Sequence, residues 1–436
     1  PGDGQGAERD SGEAWGMSDS NLLTQPLPAG WENHRFGDVC DRVNDSYQPV
    51  DDGGTPYIGL EHLAQGFPSF AGRGTEGDVK SSKTAFKVGD ILFGKLRPYL
   101  RKGAQADFDG VCSTDILVFR AKATCESDYL KFLIHTDEFV AHAKSTTSGV
   151  QHPRTSWPSL REFRLSLPPL PEQKKIAHIL WTVQRAIEAQ ERIIQTTTEL
   201  KKALMHKLFT EGLRGEPPKK TEIGPIPESW EVKPLIETVE FIDYGVSQAI
   251  PKNEVPNGVK IVSTADIDKQ GNLLYWKVRR IVVPERTAQR LVLKHGDVLF
   301  NWRNSAELIG KTAVFEEQDE PHIFASFILR ICAGERKSHN YFLKHLLNHY
   351  REEGVFIKLA RRAVNQANYN KNEISVLKIP SPPYDQQVEI AEAIGAVDGK
   401  IWSHVDKKRS LEDLFRTLLH ELMTAKTRVH ELDLSA

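Results

Sequence analysis

The chain has 436 residues, 57 Lys and Arg against 59 Asp and Glu, and a formal net charge of -2. That length suffices for two ordinary domains, each with its own core. No apolar run approaches the roughly 18 to 20 residues needed to cross a bilayer, and the N-terminus lacks a basic, then apolar, signal pattern, which argues against a membrane or exported protein.

Residues 1–16 are rich in Gly, Asp and Glu without apolar periodicity and precede Met17, so they are expected to be disordered or non-native. A globular segment is expected over 17–166. Within it, Gly89-Asp90 turns into the apolar run Ile91-Leu92-Phe93, which predicts a buried strand. At Leu167-Pro168-Pro169-Leu170-Pro171 a hinge opens a long helix, since proline fits the first turn and Glu172 complements the helix dipole. Apolar residues then fall in steps of four and three at Ile176, Leu180, Val183, Ile187, Ile194, Leu204 and Leu208, a coiled-coil seam. Gly212 and Gly215, with Pro217-Pro218 beyond, signal the stop.

The remainder repeats that order, with a second globular segment over 216–380 and a second hinge and helix over 381–436. Pro168-Pro169 returns 214 positions on as Pro382-Pro383, Ile176-Ala177 as Ile390-Ala391, and Leu204, His206 and Leu208 as Leu418, His420 and Leu422. Looser matches pair Leu27-Pro28 and Trp31-Glu32 with Ile226-Pro227 and Trp230-Glu231. Gly89 to Phe93 is paired with Gly296-Asp297-Val298-Leu299-Phe300, and Ile116-Leu117 with Ile328-Leu329. The second seam reads Ile390, Ile394, Val397, Ile401, Leu411, Phe415, Leu418 and Leu422. Both turn polar midway, at Gln190, Thr197 and Lys201 and at His404 and Lys408, positions that fix register and partner. An internal duplication implies a pseudo-two-fold molecule. The fold expected is α+β: two mixed globular domains separated by a long antiparallel two-helix coiled coil, each helix of about 40 residues rising roughly 60 Å.

Charge is unevenly placed. Lys80, Lys83, Lys87, Lys95, Arg97, Arg101 and Lys102 face one acid, Asp90, and the second unit carries Lys277, Arg279, Arg280, Arg286, Arg290, Lys294 and Arg303 around its matching strand. Concentrated cations supply salt-dependent phosphate attraction, so these, with Arg361 and Arg362, are candidate phosphate ligands. Base reading needs donors and acceptors of fixed geometry. Such side chains gather before each hinge, at Ser148, Gln151, His152 and Arg154, and at Asn365, Gln366, Asn368 and Tyr369; Tyr99, Asn301, Trp302 and Asn304, in the segments that follow the two Gly-Asp strands, are further base-edge candidates. The two pre-hinge loops align but differ in chemistry, so the halves are expected to read different sequences.

The hinge Leu167-Pro168-Pro169-Leu170-Pro171-Glu172-Gln173 running into Lys174-Lys175-Ile176-Ala177, the Gly89 to Phe93 element followed by Lys95-Leu96-Arg97-Pro98-Tyr99-Leu100, and their second copies resemble the specificity subunits of type I restriction-modification systems. The resemblance covers Met17 to the C-terminus. It implies two target-recognition domains, 17–166 and 216–380, each reading one half of a split asymmetric site in double-stranded DNA. It also implies recruitment of two adenine-N6 methyltransferase subunits and, through them, restriction subunits, with no catalysis or cofactor in this chain. Half-sites about one helical turn apart would suit both readers. Tyr384-Asp385-Gln386-Gln387 departs from the family's Pro-Glu-Gln ending, which puts equivalence of the two hinges in doubt.

Other readings remain. Ser381-Pro382-Pro383-Tyr384 has the form of an amino-methyltransferase tetrapeptide, but its first copy is Leu167-Pro168-Pro169-Leu170 and no Gly-rich methyl-donor loop follows a strand. Gly310-Lys311-Thr312 lacks the upstream glycine of a phosphate loop, and Glu335-Arg336-Lys337 reads as a turn. Cys40, Cys112, Cys125 and Cys332 show no metal spacing, so they read as reduced cytosolic thiols, and no metal is expected. An enzyme carrying its own recognition domains would bind a methyl donor. A structural coiled-coil adaptor would bind no DNA.

Overall fold

The computed structural model describes residues 27–253, 255–316, 318–359, 361–363 and 366–429; the expectations for residues 1–16 and Asn365 lie outside them. The chain divides into two compact units, Pro1–Ala189 with Lys408–Ala436, and Gln190–Lys407. Each holds one globular part and a stretch of both long helices.

In the first unit Ile91–Gly94 lies between Ile116–Ala121 and Gly103–Gln105, with Cys40–Val43 outermost beyond Ile116–Ala121. A second sheet of five short strands is built around Lys83–Phe86 and Gly110–Cys112. In the second unit Val298–Asn301 lies between Ile328–Cys332 and Thr312–Val314, with Phe241–Tyr244 outermost: the same strand order. The register repeats as well. Leu117 pairs with Phe93 and Ile116 with Gly94, as Leu329 pairs with Phe300 and Ile328 with Asn301.

The Gly-Asp turns are built alike. Gly89 and Gly296 sit at φ +88° and +89°, where a side chain would be strained. Asp90 is buried, accepts the Lys87 N–H at 2.9 Å and takes two 2.7 Å bonds from the Arg120 guanidinium. Asp297 accepts the Lys294 N–H at 2.8 Å beside Arg330. The repeated Gly-Asp motif is thus structural: it anchors the start of the central strand.

The first long helix runs Leu170–Glu211, 42 residues, and the second Tyr384–Met423, 40 residues. Gly212 ends the first at φ +67°. In the first unit Ile176, Leu180 and Ile187 share one core with Phe415, Leu419, Leu422 and the globular Tyr129 and Phe132, with Val183, Leu411 and Leu418 packed at its edge. In the second, Met205, Leu208 and Phe209 share a core with Ile390, Ile394 and Trp230, and Leu204 lies at its edge.

The seam is shorter than its periodicity suggests. Ile194, Val397 and Ile401 are only half-buried. A pair of helices by itself leaves much of each seam residue wet, and full burial occurs where a globular part covers it. Between the apolar ends the contacts are polar: Gln190 to His404, and Lys201 Nζ to Asp398 at 2.6 Å.

The two hinges do the same work despite their different endings. Gln173 Oε1 accepts the Glu126 N–H at 2.8 Å while Nε2 donates to Pro168 and Thr124 carbonyls; Gln387 Oε1 accepts the His339 N–H at 2.8 Å while Nε2 donates to the Pro382 carbonyl. Both glutamines are buried. Preceding each globular part, the Trp31 indole donates to Glu172 at 3.1 Å, and Trp230 to Gln386 at 2.9 Å. The doubt raised by Tyr384 to Gln387 is resolved in favour of equivalence, because the glutamine is retained.

Candidate nucleic-acid interface

Leaving the central strand of the first unit, the chain enters Lys95 to Leu100, and here three separated segments meet through main-chain bonds. Lys95 N–H donates to the Asp115 carbonyl at 2.9 Å, Thr155 N–H to the Lys95 carbonyl at 3.0 Å, and Leu96 bridges Arg154 in antiparallel fashion. The second unit repeats all three. Trp302 N–H donates to the Phe327 carbonyl at 3.2 Å, Tyr369 N–H to the Trp302 carbonyl at 2.8 Å, and Arg303 pairs with Asn368. The post-strand and pre-hinge segments singled out from sequence are therefore parts of one surface feature in each unit, a knot fastened by backbone.

Side chains on the two knots differ. On the first, Arg97 and Tyr99 are exposed, and Arg97 and Arg101 hold left-handed φ values of +51° and +49° around the short turn Pro98–Leu100. Strained backbone of this kind costs about 1 kcal/mol or more per residue and concentrates where a loop is shaped for use. Ser148, Gln151 and His152 are exposed beside the fully exposed Val150. Arg154 is engaged with Asp115 at 2.9 and 3.2 Å, and these hydrogen bonds hold the Asp115 carboxyl below its ordinary range. On the second knot, Arg303 lies 4.9 Å over the Phe327 ring, the half-buried Trp302 donates its indole N–H to the Ser326 carbonyl, and Asn304 accepts the Ser305 N–H. Asn368 Oδ1 is buried and finds no hydrogen-bond partner among the described residues. Arg361, Arg362 and Gln366 lie on the two strands that pair beside it, Arg361–Ala363 and Gln366–Asn368.

Several candidates are buried or already engaged within the fold. Lys83 is buried in its strand and spends its ammonium on Ser81, and burial lowers its pKa. Asn301 is fully buried at the end of the central strand and donates to the Leu308 carbonyl. Tyr369 is a core residue against Phe356, its hydroxyl pushed up to about 12 by burial. Arg101 is bound to Asp137 and the His135 carbonyl, Lys102 to the Leu60 carbonyl, and Arg280 to Glu320 and the Gly258 carbonyl. These cations hold loops together.

Nor is the run from Lys80 to Lys102 one face. Lys87 sits at the Gly-Asp end of Ile91–Gly94 and Lys95 at the other, a strand length of roughly 13 Å at about 3.3 Å per residue. Among the described residues, no side-chain hydrogen bond or ion pair engages Lys80, Lys87, Lys95 or Arg97. Of these, Lys95 and Arg97 belong to the knot. In the second unit Arg279 donates to the Pro251 carbonyl, and Lys277 stands 4.7 Å over Trp276, which is 79% exposed. Trp276, an exposed aromatic directly before the basic residues Lys277 to Arg280, was not singled out from sequence.

The other motifs also find places. Lys311 is buried on the Thr264 and Ile267 carbonyls, Arg336 lies in a turn at φ +55°, and Ser381 to Tyr384 joins a strand to the second long helix. Cys40, Cys112 and Cys125 are buried thiols, and burial pushes Cys112 and Cys125 up to about 12.

Two copies of one frame, in register and closed by the same knot but carrying unlike side chains, define a paired recognition protein. The sequence matches the type I restriction modification DNA specificity domain over residues 28–198 and again over 227–413. The chain belongs to that family and is a specificity subunit of the type I class, a non-catalytic component. It is 27% identical over 431 residues to the type I restriction enzyme MjaVIII specificity subunit of Methanocaldococcus jannaschii, a match covering 93% of this chain and 95% of that protein. A second relative from that organism, the putative MjaX specificity subunit, is 31% identical over 213 residues, 49% of this chain and about half (50%) of that protein's length. Among solved structures, the type I S subunit from M. genitalium matches with a TM-score of 0.57 at 13% identity over 92% of this chain and 98% of that one. A chain from a structure of type I R-M complex assembly matches at 0.54 and 20% identity, covering 92% and 99%. These structures share the fold. Among the described residues no helix is long and apolar enough to cross a membrane.

Proposed function

We propose that the chain reads a two-part, asymmetric site in double-stranded DNA, with the segment 17–166 addressing one half and 216–380 the other. The observation that supports this best is the repeated knot: a shared backbone frame offering Arg97, Tyr99, Gln151 and His152 in one copy and Arg303 and Asn304 in the other. Exposed cations fix the protein on phosphate, while amide and imidazole groups suit base edges. The subunit would recruit two adenine-N6 methyltransferase subunits and, through them, restriction subunits, acting in the cytoplasm without a cofactor of its own. Exchanging residues 17–166 for the corresponding segment of a relative should change one half of the methylated site only. Methylation mapping that shows both halves changed would overturn the assignment of one half-site to each segment.

A further inference from the structure

The second unit contains a cluster that DNA reading does not use. His206 on the first long helix faces His349 and Glu353 at the end of the helix Asn340–Glu352, and one ligand atom from each lies within 4.8 Å of the others. His349 is 6% exposed and packed against the Phe209 ring at 5.3 Å, so its imidazole is held in place. His206 and Glu353 are exposed and can adjust. None of the three makes a side-chain hydrogen bond or ion pair with another described residue.

We propose that His206, His349 and Glu353 bind one borderline divalent transition-metal ion of the zinc, cobalt or nickel class, joining the first long helix to the helix Asn340–Glu352. Two imidazoles and a carboxylate suit such ions, and three protein ligands leave a position for water. Metal–nitrogen bonds of about 2.0 to 2.1 Å place ligand atoms about 3.4 Å apart in a tetrahedron, so closure asks roughly 1 Å of movement from the exposed side chains.

The first copy shows what the cluster lacks there. His420, the repeat of His206, is instead bonded to Lys426 at 2.8 Å. Counting from the residues that donate to the hinge glutamines, Glu126 and His339, the positions matching His349 and Glu353 are Thr136 and Val140, a helix cap and an apolar residue. The site belongs to one half of the duplication.

Titrating the metal-free full chain with Co²⁺, followed by visible absorption, tests this. One Co²⁺ per chain should bind and be displaced by Zn²⁺; His206→Ala and Glu353→Gln should each weaken binding by at least roughly tenfold, and His420→Ala should not. Both altered residues are exposed, and circular dichroism checks that each variant is folded. Absence of binding below about millimolar Co²⁺, affinity undiminished in either variant, or an equal loss in His420→Ala would overturn the site.

Discussion

Gln190 and His404 are hydrogen-bonded to each other, Oε1 to Nδ1 at 2.7 Å, across a sequence separation of 214 residues, the offset of the repeat itself. Each residue therefore meets its own copy. The neighbouring Lys201 to Asp398 ion pair gives the direction of the two helices within the second unit, since one ascends as the other descends.

Gln190→Leu alone should lower stability by about 1 to 3 kcal/mol, because the half-buried imidazole of His404 loses its partner. Replacing both residues with leucine should recover most of that loss or exceed it, at the expense of a defined register. Denaturant midpoints for the two single variants and the double variant measure the coupling, and strictly additive effects would count against it.

The hinge glutamines should be the costliest polar positions in the chain. Gln173→Leu strands the Glu126 N–H and two carbonyls, an expected loss of about 2 to 4 kcal/mol. Gln387→Leu should behave similarly. Glutamate cannot rescue either, since a carboxylate would face carbonyl oxygens. Retention of wild-type denaturation midpoints in the leucine variants would refute the shared role.

His135 sets a pH window. It is fully buried with Nε2 on the Gly103 carbonyl, and burial drives its pKa down to about 4. The unfolded chain takes up the proton first, so the stabilisation is complete above about pH 6.5 and disappears as pH falls towards 4, a loss of up to about 3 kcal/mol. Chemical denaturation at successive pH values should give a flatter profile in this window for His135→Gln. An identical profile would assign the sensitivity elsewhere.

Arg97 and Arg101, adjacent in the basic run, should part company in a salt titration. Arg97→Gly relieves a left-handed residue, adding up to about 1 kcal/mol of stability, while removing a free cation. DNA affinity should fall for all sequences, with the salt slope reduced by about one. Arg101→Ala should leave the slope nearly unchanged and destabilise the loop, because its guanidinium serves Asp137 and His135. Equal slopes for Arg97→Gly and the parent protein would remove Arg97 from the phosphate ligands.

Much of the architecture was legible because duplication doubles every signal: the Gly89 to Phe93 run predicted a strand, and it pairs in identical register in both copies with the segments that hold the matched Ile116-Leu117 and Ile328-Leu329. Helix limits followed from Pro171 and Gly212, whose backbone requirements are local. What periodicity could not reveal was which cations are spent. Lys83, Lys102 and Arg280 look like their neighbours in sequence, and only the carbonyls and carboxylates brought to them by distant segments distinguish anchors from free charges. Asn301 illustrates the same limit, since a strand's last side chain points inward or outward according to a pairing set by Ile328. His349 escaped notice because its partner His206 lies more than a hundred residues away on another helix.

Because main-chain bonds close each knot, with Arg154 on Asp115 and Trp302 on the Ser326 carbonyl as side-chain ties, the exposed loop residues hung on it carry little of the burden of holding the fold together. A lineage could rewrite residues 148–152, or trade whole exposed turns, and inherit a new dialect of recognition in a single step while the scaffold beneath stays put.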